Sequence, residues 1–294
     1  MKRLKSWLSK GDNSKTLLGK IILILRNMIW DLRTGLIDFK KKSIYWRERI
    51  FLSKIKLDDT VIFYRKHSDD EFIINELLIN DEYMFNQLGL KEDSNVIDIG
   101  AQIGCFSLRA AKIAKRGNIY SFEPEPKNFN ILKRNIKVNQ LRNVTVFNKA
   151  VYEKEGVIKL FIPGFDTEKR TGQYSIFKMK ERHYNKYLKV KTVSLKSILL
   201  DKNIKKVDLL KIDCEGAEYR ILYSTPDEVF NIIDKIILEY HHYGGIDGNI
   251  EDLRKYLEAR NYRTLLIKNH PSEPRGIAYF SRLRMECPIS NCKI

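Results

Sequence analysis

The stretch Val96-Ile97-Asp98-Ile99-Gly100-Ala101-Gln102-Ile103-Gly104 decides the fold. Its first part, NVIDIG (95–100), is a short apolar strand that stops on glycine, and a helix-forming run over 104–115 begins at once. Gly100 lets the chain turn sharply, the small Ala101 lets a ligand approach the backbone, and Gly104 opens the helix where close packing is needed. NIYSFEP (118–124) is the next strand, stopped by Pro124, and a helix over 126–139 follows with Pro126 at its start. NVTVFNKAV (143–151) reads as a third strand. Strand–helix–strand units of this length predict a parallel sheet with right-handed crossovers.

Beyond that core, VDLLKID (207–213) and KIILEYHH (235–242) resume the buried strands. Between them and the third strand, VIKLFI (157–162) and YLKVKTV (187–193) are strand-like runs around a polar loop. After a helix over 250–260, YRTLLIK (262–268) and GIAYF (276–280) predict a C-terminal antiparallel hairpin on the sheet edge. Upstream, TVIFYRK (60–66) is strand-like, and 69–90 reads as one helix opened by Asp69, Asp70 and Glu71. Residues 1–56 read as a basic helical extension, with an apolar stripe at helical spacing in 17–30. The expected organisation is thus an N-terminal extension, 1–56, and an α/β domain, 57–294. That domain has a mostly parallel seven-stranded sheet with helices on both faces.

Glu123 ends the second strand, 25 residues beyond Asp98. In doubly wound folds an acidic residue there bonds ribose hydroxyls, and ligands bind outside the carboxyl ends of the strands. Asp98, Gly100, Glu123 and the segment Asn148–Ala150 are therefore expected to converge on one crevice. NAD sites want G-x-G-x-x-G to seat a pyrophosphate on a helix N-terminus. The glycines here are Gly100 and Gly104, and Asp98 precedes them. A carboxylate there would repel pyrophosphate but suits the ammonium and sulfonium charges of S-adenosyl-L-methionine. A second constellation, Lys211-Ile212-Asp213-Cys214-Glu215-Gly216-Ala217-Glu218, ends one buried strand, and Glu239-Tyr240-His241-His242 ends the next. Glu215 and Glu218 compensate a helix N-terminus, a role that does not explain Asp213 on the strand end.

Taken together, VIDIGAQIGCFSL (96–108), YSFEPEPKNFNILKRNIKVN (120–139), VTVFNKAV (144–151), VDLLKIDCEGAEYRIL (207–222) and ILEYHH (237–242) resemble the FkbM-type methyltransferases over about 95–265. The family usually has Asn where this chain has Gln102. The resemblance implies a Rossmann-like class I methyltransferase fold. It implies S-adenosyl-L-methionine held by Asp98, Gly100, Ala101, Gln102, Gly104, Glu123, Pro124 and Asp213, with adenine near Asn148, Lys149 and Ala150. It also implies methyl transfer to a substrate oxygen, on acceptors that include sugars and other natural products.

An alcohol is a poor nucleophile, so a base or a metal usually assists. Asp213, Glu215 and His241 are the candidate bases, with Asp213 or His241 expected to take the proton and Glu239 to orient the site. The alternative is a divalent cation held by Asp213, Glu215, Glu239 and His241, whose carboxylates and imidazole suit magnesium, manganese or zinc. The loop 163–186 interrupts the fold at a strand's carboxyl end, and Gln173, Tyr174 and Ser175 are expected to contact the acceptor.

Composition bounds the partners. The net charge is +17, of which residues 1–56 carry +11. This points to an anionic membrane surface contacted by 1–56, to acidic glycans, or to nucleic acid. Nucleic-acid methylation is disfavoured, because no N-P-P-Y-like tetrapeptide or readable RNA-binding module occurs. A non-catalytic interaction protein on a cofactor-binding fold is disfavoured by intact Asp98, Glu123 and Asp213. Residues 17–30 contain Lys20 and Arg26 and are too short to span a bilayer, which needs roughly 20 apolar residues. They also lack a signal-peptide cleavage site. Cys105, Cys214, Cys287 and Cys292 form no disulfide or zinc pattern. The expected location is therefore cytoplasmic, with peripheral membrane contact through the extension.

Overall fold

The computed structural model describes residues 52–163, 169–178, 184–242, 248–270 and 275–282. The chain divides into two compact units, Met1–Lys66 and His67–Ile294. In the first, β1 (Leu52–Leu57) and β2 (Thr60–Arg65) pair as an antiparallel hairpin, with β2 falling on the strand expected at 60–66. Of the helical reading of 1–56, residues 1–51, with the apolar stripe in 17–30, lie outside the described residues, and 52–56 are corrected: they are strand, because their alternating side chains pair with β2.

The second unit opens with α1 (Asp69–Ile74), capped by the Ser68 side chain and continued by a wider π turn, Asn75–Ile79. The single helix expected over 69–90 is corrected here. Asp81 and Met84 take left-handed backbone angles (φ 52° and 46°), and the Asp81 carboxylate accepts the Phe85 amide, so the chain leaves the helix as a strap. The alternation then follows: β3 (Val96–Ile99), α2 (Cys105–Ile113), β4 (Ile119–Phe122), α3 (Pro126–Val138) and β5 (Val144–Phe147). The third expected strand splits, because its end forms β6 (Ala150–Val151) and leaves the main sheet. β6 joins β7 (Gly156–Pro163) and β8 (Tyr184–Val193) in a small sheet of order β6-β8-β7. The chain continues through α4 (Leu195–Asp201), β9 (Leu209–Ile212), α5 (Glu218–Tyr223), α6 (Asp227–Phe230), β10 (Lys235–His241), α7 (Ile250–Glu258), β11 (Tyr262–Asn269) and β12 (Arg275–Arg282).

The main sheet has seven strands in the order β11-β12-β10-β9-β3-β4-β5. β12 runs antiparallel to both its neighbours and the other pairings are parallel, which is the predicted C-terminal hairpin on an α/β sheet. The crossovers step outward from β3 in opposite directions, so right-handedness puts their helices on opposite faces. Every residue of β3 and of β9 is buried, as expected of strands covered on both sides. The main core packs Ile97, Ile99, Leu210, Ile212, Leu238 and Phe280 from the sheet against Tyr219, Leu222, Leu253 and Leu257 from α5 and α7. No helix among the described residues is long and apolar enough to cross a membrane.

Strand register fixes where the chemistry falls. Ile99 is paired with Phe122 and with Ile212, and Ile212 with Leu238. The next residue on each strand is therefore Gly100, Glu123, Asp213 or Glu239, and these four stand in one row across the carboxyl edge. Gly104 starts α2 at φ 97°, and a Cβ there would lie 2.5 Å from the end of the Leu132 side chain on α3. Gly104→Ala should lower stability by about 1–3 kcal/mol, through backbone strain and the displaced leucine, as read by urea unfolding.

Candidate active site

The edge row is held together by a buried cation. Lys211 on β9 is 3% exposed, and its Nζ lies 3.2 Å from Asp98 Oδ1 and 3.5 Å from Asp213 Oδ2. It also donates to the Gly100 carbonyl at 2.8 Å. Burial opposes its charge, but Asp98 and Asp213, with Glu239 beyond, outweigh that and hold the ammonium protonated well above the usual lysine range. The Gly100 turn can close on β9 only because Gly100 has no side chain: a Cβ would lie 1.6 Å from the Asp213 carbonyl oxygen.

Asp98 is fully buried and does not line the cavity at the sheet edge. Its second oxygen accepts from Ser107 Oγ at 2.5 Å, and Ser107 in turn meets Ser121. The expectation that Asp98 faces the ligand is thereby corrected: it anchors Lys211 from behind. Gly100, Ala101, Gln102, Glu123, Pro124, Ala150 and Asp213 do line one cavity of about 210 Å³. Gly104 stands behind them at the helix start. Asn148 and Lys149 are not part of the lining; Asn148 instead donates to the Glu123 and Pro124 carbonyls at 2.9 and 3.0 Å.

Glu123 accepts the amides of Gln102 and Glu125, each at 2.9 Å, and burial pushes its carboxyl up to about 8. Gln102 takes φ 51°, a left-handed angle that non-glycine residues other than Asn and Asp rarely adopt, which gives a reason for Asn at this point in the family pattern. The longer glutamine reaches Asp70, its Nε2 donating to Oδ1 at 2.7 Å, while Thr171 Oγ1 donates to the same oxygen at 2.8 Å.

On the other side of Lys211 lies a carboxylate pair. Tyr83, on the strap, places its hydroxyl 3.3 Å from both Asp213 Oδ2 and Glu239 Oε2. Arg275 bridges Glu239 Oε1 at 2.5 Å and Glu76 Oε1 at 3.0 Å. Burial, and then the charge of Asp213, push Glu239 up to about 7 against the pull of His241 and Arg275. Asp213, Glu239, Tyr83 and Arg275 all line the cavity.

His241 is 1% exposed and turned away from the cavity, with Nδ1 3.0 Å from Glu218 Oε1 and Nε2 3.6 Å from Glu239 Oε1. Burial opposes its charge, but Glu218 and then Glu215 and Glu239 overrule it and lift its pKa to about 10. An imidazole protonated at neutral pH takes no further proton, so the expectation of His241 as base is corrected. Its partner Glu218 gathers the amides of Cys214 and Gly216, each at 3.1 Å, and so shapes the loop after β9. Glu215, at φ 56°, lines the cavity from that loop. Gln173 and Tyr174 also line it, but Ser175 does not: it is buried, bridges Phe161 on β7, and donates to the Glu215 carbonyl at 2.6 Å. The acceptor-contact expectation for Ser175 is thus replaced by a structural role.

Among the described residues, ligand atoms of Asp213, Glu239 and His241 lie within 4.8 Å of one another, and Glu215 does not join them. A divalent cation there would have to displace Arg275 from Glu239 and Lys211 from Asp213, and to take the imidazole that now faces Glu218. The lining does fit S-adenosyl-L-methionine. Ile99, Phe122 and Ala150 give an apolar slot, Ala101 keeps it open, and Glu123 and Asp213 flank it for ribose hydroxyls and positive charge. Tyr83, Arg275, Glu76, Asp70 and Lys211 were missed as site residues. Only Lys211, a charge inside a buried strand, carried a sequence signal.

Removing the ammonium should leave Asp98 as an uncompensated buried charge. Lys211→Met should cost about 3–5 kcal/mol in urea unfolding, and adding Asp98→Asn should recover part of it. Equal losses in the single and double variants would remove the pair from its anchoring role.

The model of the methyltransferase FkbM domain matches residues 98–264. "Methyltransferase 1" of Beauveria bassiana is 28% identical over 64% of this chain and 81% of its own length. The "31-O-demethyl-FK506 methyltransferase FkbM" of Streptomyces tacrolimicus is 25% identical over 61% and 78%. The solved structure of M. jannaschii TYW2 in complex with AdoMet aligns at a TM-score of 0.41 and 17% identity, over 79% of this chain and 87% of that one. With the domain match spanning more than half of its residues, the chain belongs to the FkbM family of S-adenosylmethionine-dependent methyltransferases.

Proposed function

We propose that the chain methylates a hydroxyl group on a sugar, a glycan or another small natural product. The observation that carries this reading is the Asp213–Glu239 pair in the cavity wall, joined by the Tyr83 hydroxyl, with Glu239 titrating near neutral pH. A hydroxyl acceptor must lose a proton as it is alkylated, and a base is most effective when its pKa lies near the working pH. The Streptomyces tacrolimicus relative, by its name, acts on an oxygen, in keeping with this acceptor type.

S-adenosyl-L-methionine, when bound, supplies an electrophilic methyl group. Glu123, Gly100 and Ala101 are the residues to hold it, with Asp213 at the end nearer Glu239. Glu239 accepts the acceptor's proton on its carboxylate. Arg275 fixes the orientation of that carboxylate, and Tyr83 keeps Asp213 and Glu239 in register. Gln173 and Tyr174 approach the acceptor from the loop between β7 and β8. Holding the acceptor oxygen in line with the donor supplies much of the acceleration, and the rest comes from removal of the proton.

The base must be ionised, so the pH dependence has a definite sign. A carboxyl raised to about 7 is protonated below that pH, and the rate should fall about tenfold per unit of further acidification and level off above it. Glu239→Gln should abolish this acid limb and lower kcat by roughly 100-fold to 10,000-fold. Wild-type turnover in both Glu239→Gln and Asp213→Asn would sink the assignment. EDTA should leave the rate unchanged, whereas loss restored by manganese would reinstate the metal reading.

A further inference from the structure

The outer face of the small sheet gathers lysines around exposed apolar side chains. Side chains alternate along β7 and β8. Leu160 and Val190 turn inward with Ala150, Tyr174 and Ile176, and Leu160 reaches the cavity wall. Val157, Lys159 and Phe161 on β7 stand on the opposite face with Tyr187, Lys189 and Lys191 on β8. Lys159 lies directly across from Lys189. Like charges placed opposite each other destabilise a sheet, so this pairing costs stability in the free protein. No described carboxylate forms an ion pair with Lys159, Lys178, Lys189 or Lys191. Val157 and Tyr187 are 62% and 46% exposed among these cations.

We propose that this face docks on an anionic lipid bilayer. Lysines interleaved with an exposed aliphatic and a tyrosine match the chemistry of a headgroup region, where charge and shallow apolar contact act together. Two observations set this partner above a nucleic acid or an acidic polysaccharide. The aromatic rings already carry cations, with Lys159 Nζ 4.5 Å from the Tyr187 centroid and Lys178 Nζ 5.4 Å from that of Phe161, so the rings are not open platforms for stacked bases or sugars. The cavity behind Leu160 is lined by Asp69, Glu76, Glu82, Asp213, Glu215 and Glu239, and its two cations are already engaged by carboxylates. A polyanion tracking from the lysines into the cavity would bring its charge against those groups. A bilayer leaves its charge at the face. The docking does not depend on the nature of the methyl acceptor.

The test is sedimentation of the full chain with phosphatidylcholine vesicles, with and without phosphatidylglycerol. Each lysine near an anionic surface is worth about 1 kcal/mol, or roughly fivefold in partitioning. Residues 1–56 are strongly basic themselves, so the comparison is between full chains of equal charge. One carries Lys189→Ser and Lys191→Ser, and the control carries Lys137→Ser and Lys205→Ser, at exposed positions elsewhere. The face variant should partition roughly 25-fold less onto phosphatidylglycerol vesicles, the control should resemble wild type, and both should still bind S-adenosylhomocysteine. Unchanged partitioning of the face variant, or equal losses in both variants, would overturn the proposal. So would a dT oligonucleotide that binds at the same salt and is lost with the same two lysines while vesicle binding persists.

Discussion

A lysine ammonium buried inside the sheet is the constraint on which the rest of the site depends. Lys211 is charged at 3% exposure because Asp98 faces it from the neighbouring strand and Asp213 lies two residues on. In return it holds the Gly100 carbonyl, and the Gly100 turn lies so close to β9 that no side chain fits between them. Cofactor loop and acid pair are thus fastened to one nitrogen. Buried ion pairs are weak sources of net stability, because desolvation consumes most of the Coulombic gain. The benefit here is geometric: it fixes how two strand ends and their loops meet.

The same economy runs outward. The carboxylates at the sheet edge are matched by cations or donors: Asp98 and Asp213 share Lys211, Glu239 has Arg275, Glu218 has His241, and Glu123 has the Gln102 and Glu125 amides. Burial lifts the cavity-lining carboxyls of Glu76 and Glu123 to about 8 and, with the charge of Asp213, that of Glu239 to about 7 against Arg275 and His241; Glu239 is the one of the three that shares the Tyr83 hydroxyl with Asp213. The strap after α1 supplies what the parallel sheet cannot. It delivers Tyr83 to the acid pair and is pinned there by the Tyr279 hydroxyl on the Tyr83 carbonyl, by Arg109 on Asp81, and by packing of Phe85 on Phe106.

The sheet was legible because its strands are short apolar runs ending in glycine or acid, and the register of those runs alone places Gly100, Glu123, Asp213 and Glu239 in a row. The charge roles were less legible. Asp98, His241 and Ser175 are the right residue types for ligand contact, yet each turns its polar atoms into the protein, and burial direction at a strand end is decided by neighbours far off in sequence. Tyr83 and Arg275 come from a strap and a hairpin that carry no motif, and they lie 130 and 62 residues from Asp213. The helix reading of 69–90 failed where Asp81 used its side chain on the backbone instead of extending the helix, a local competition that apolar periodicity does not register.

Calorimetric titration of the full chain with S-adenosylhomocysteine, with NAD as the control, tests the cofactor site most directly. A cofactor seated on the edge row should give binding of S-adenosylhomocysteine, lost on Glu123→Ala, and no binding of NAD. Binding of NAD, or retention of S-adenosylhomocysteine binding at full affinity in Glu123→Ala, would contradict the placement of the cofactor in the row at the sheet edge.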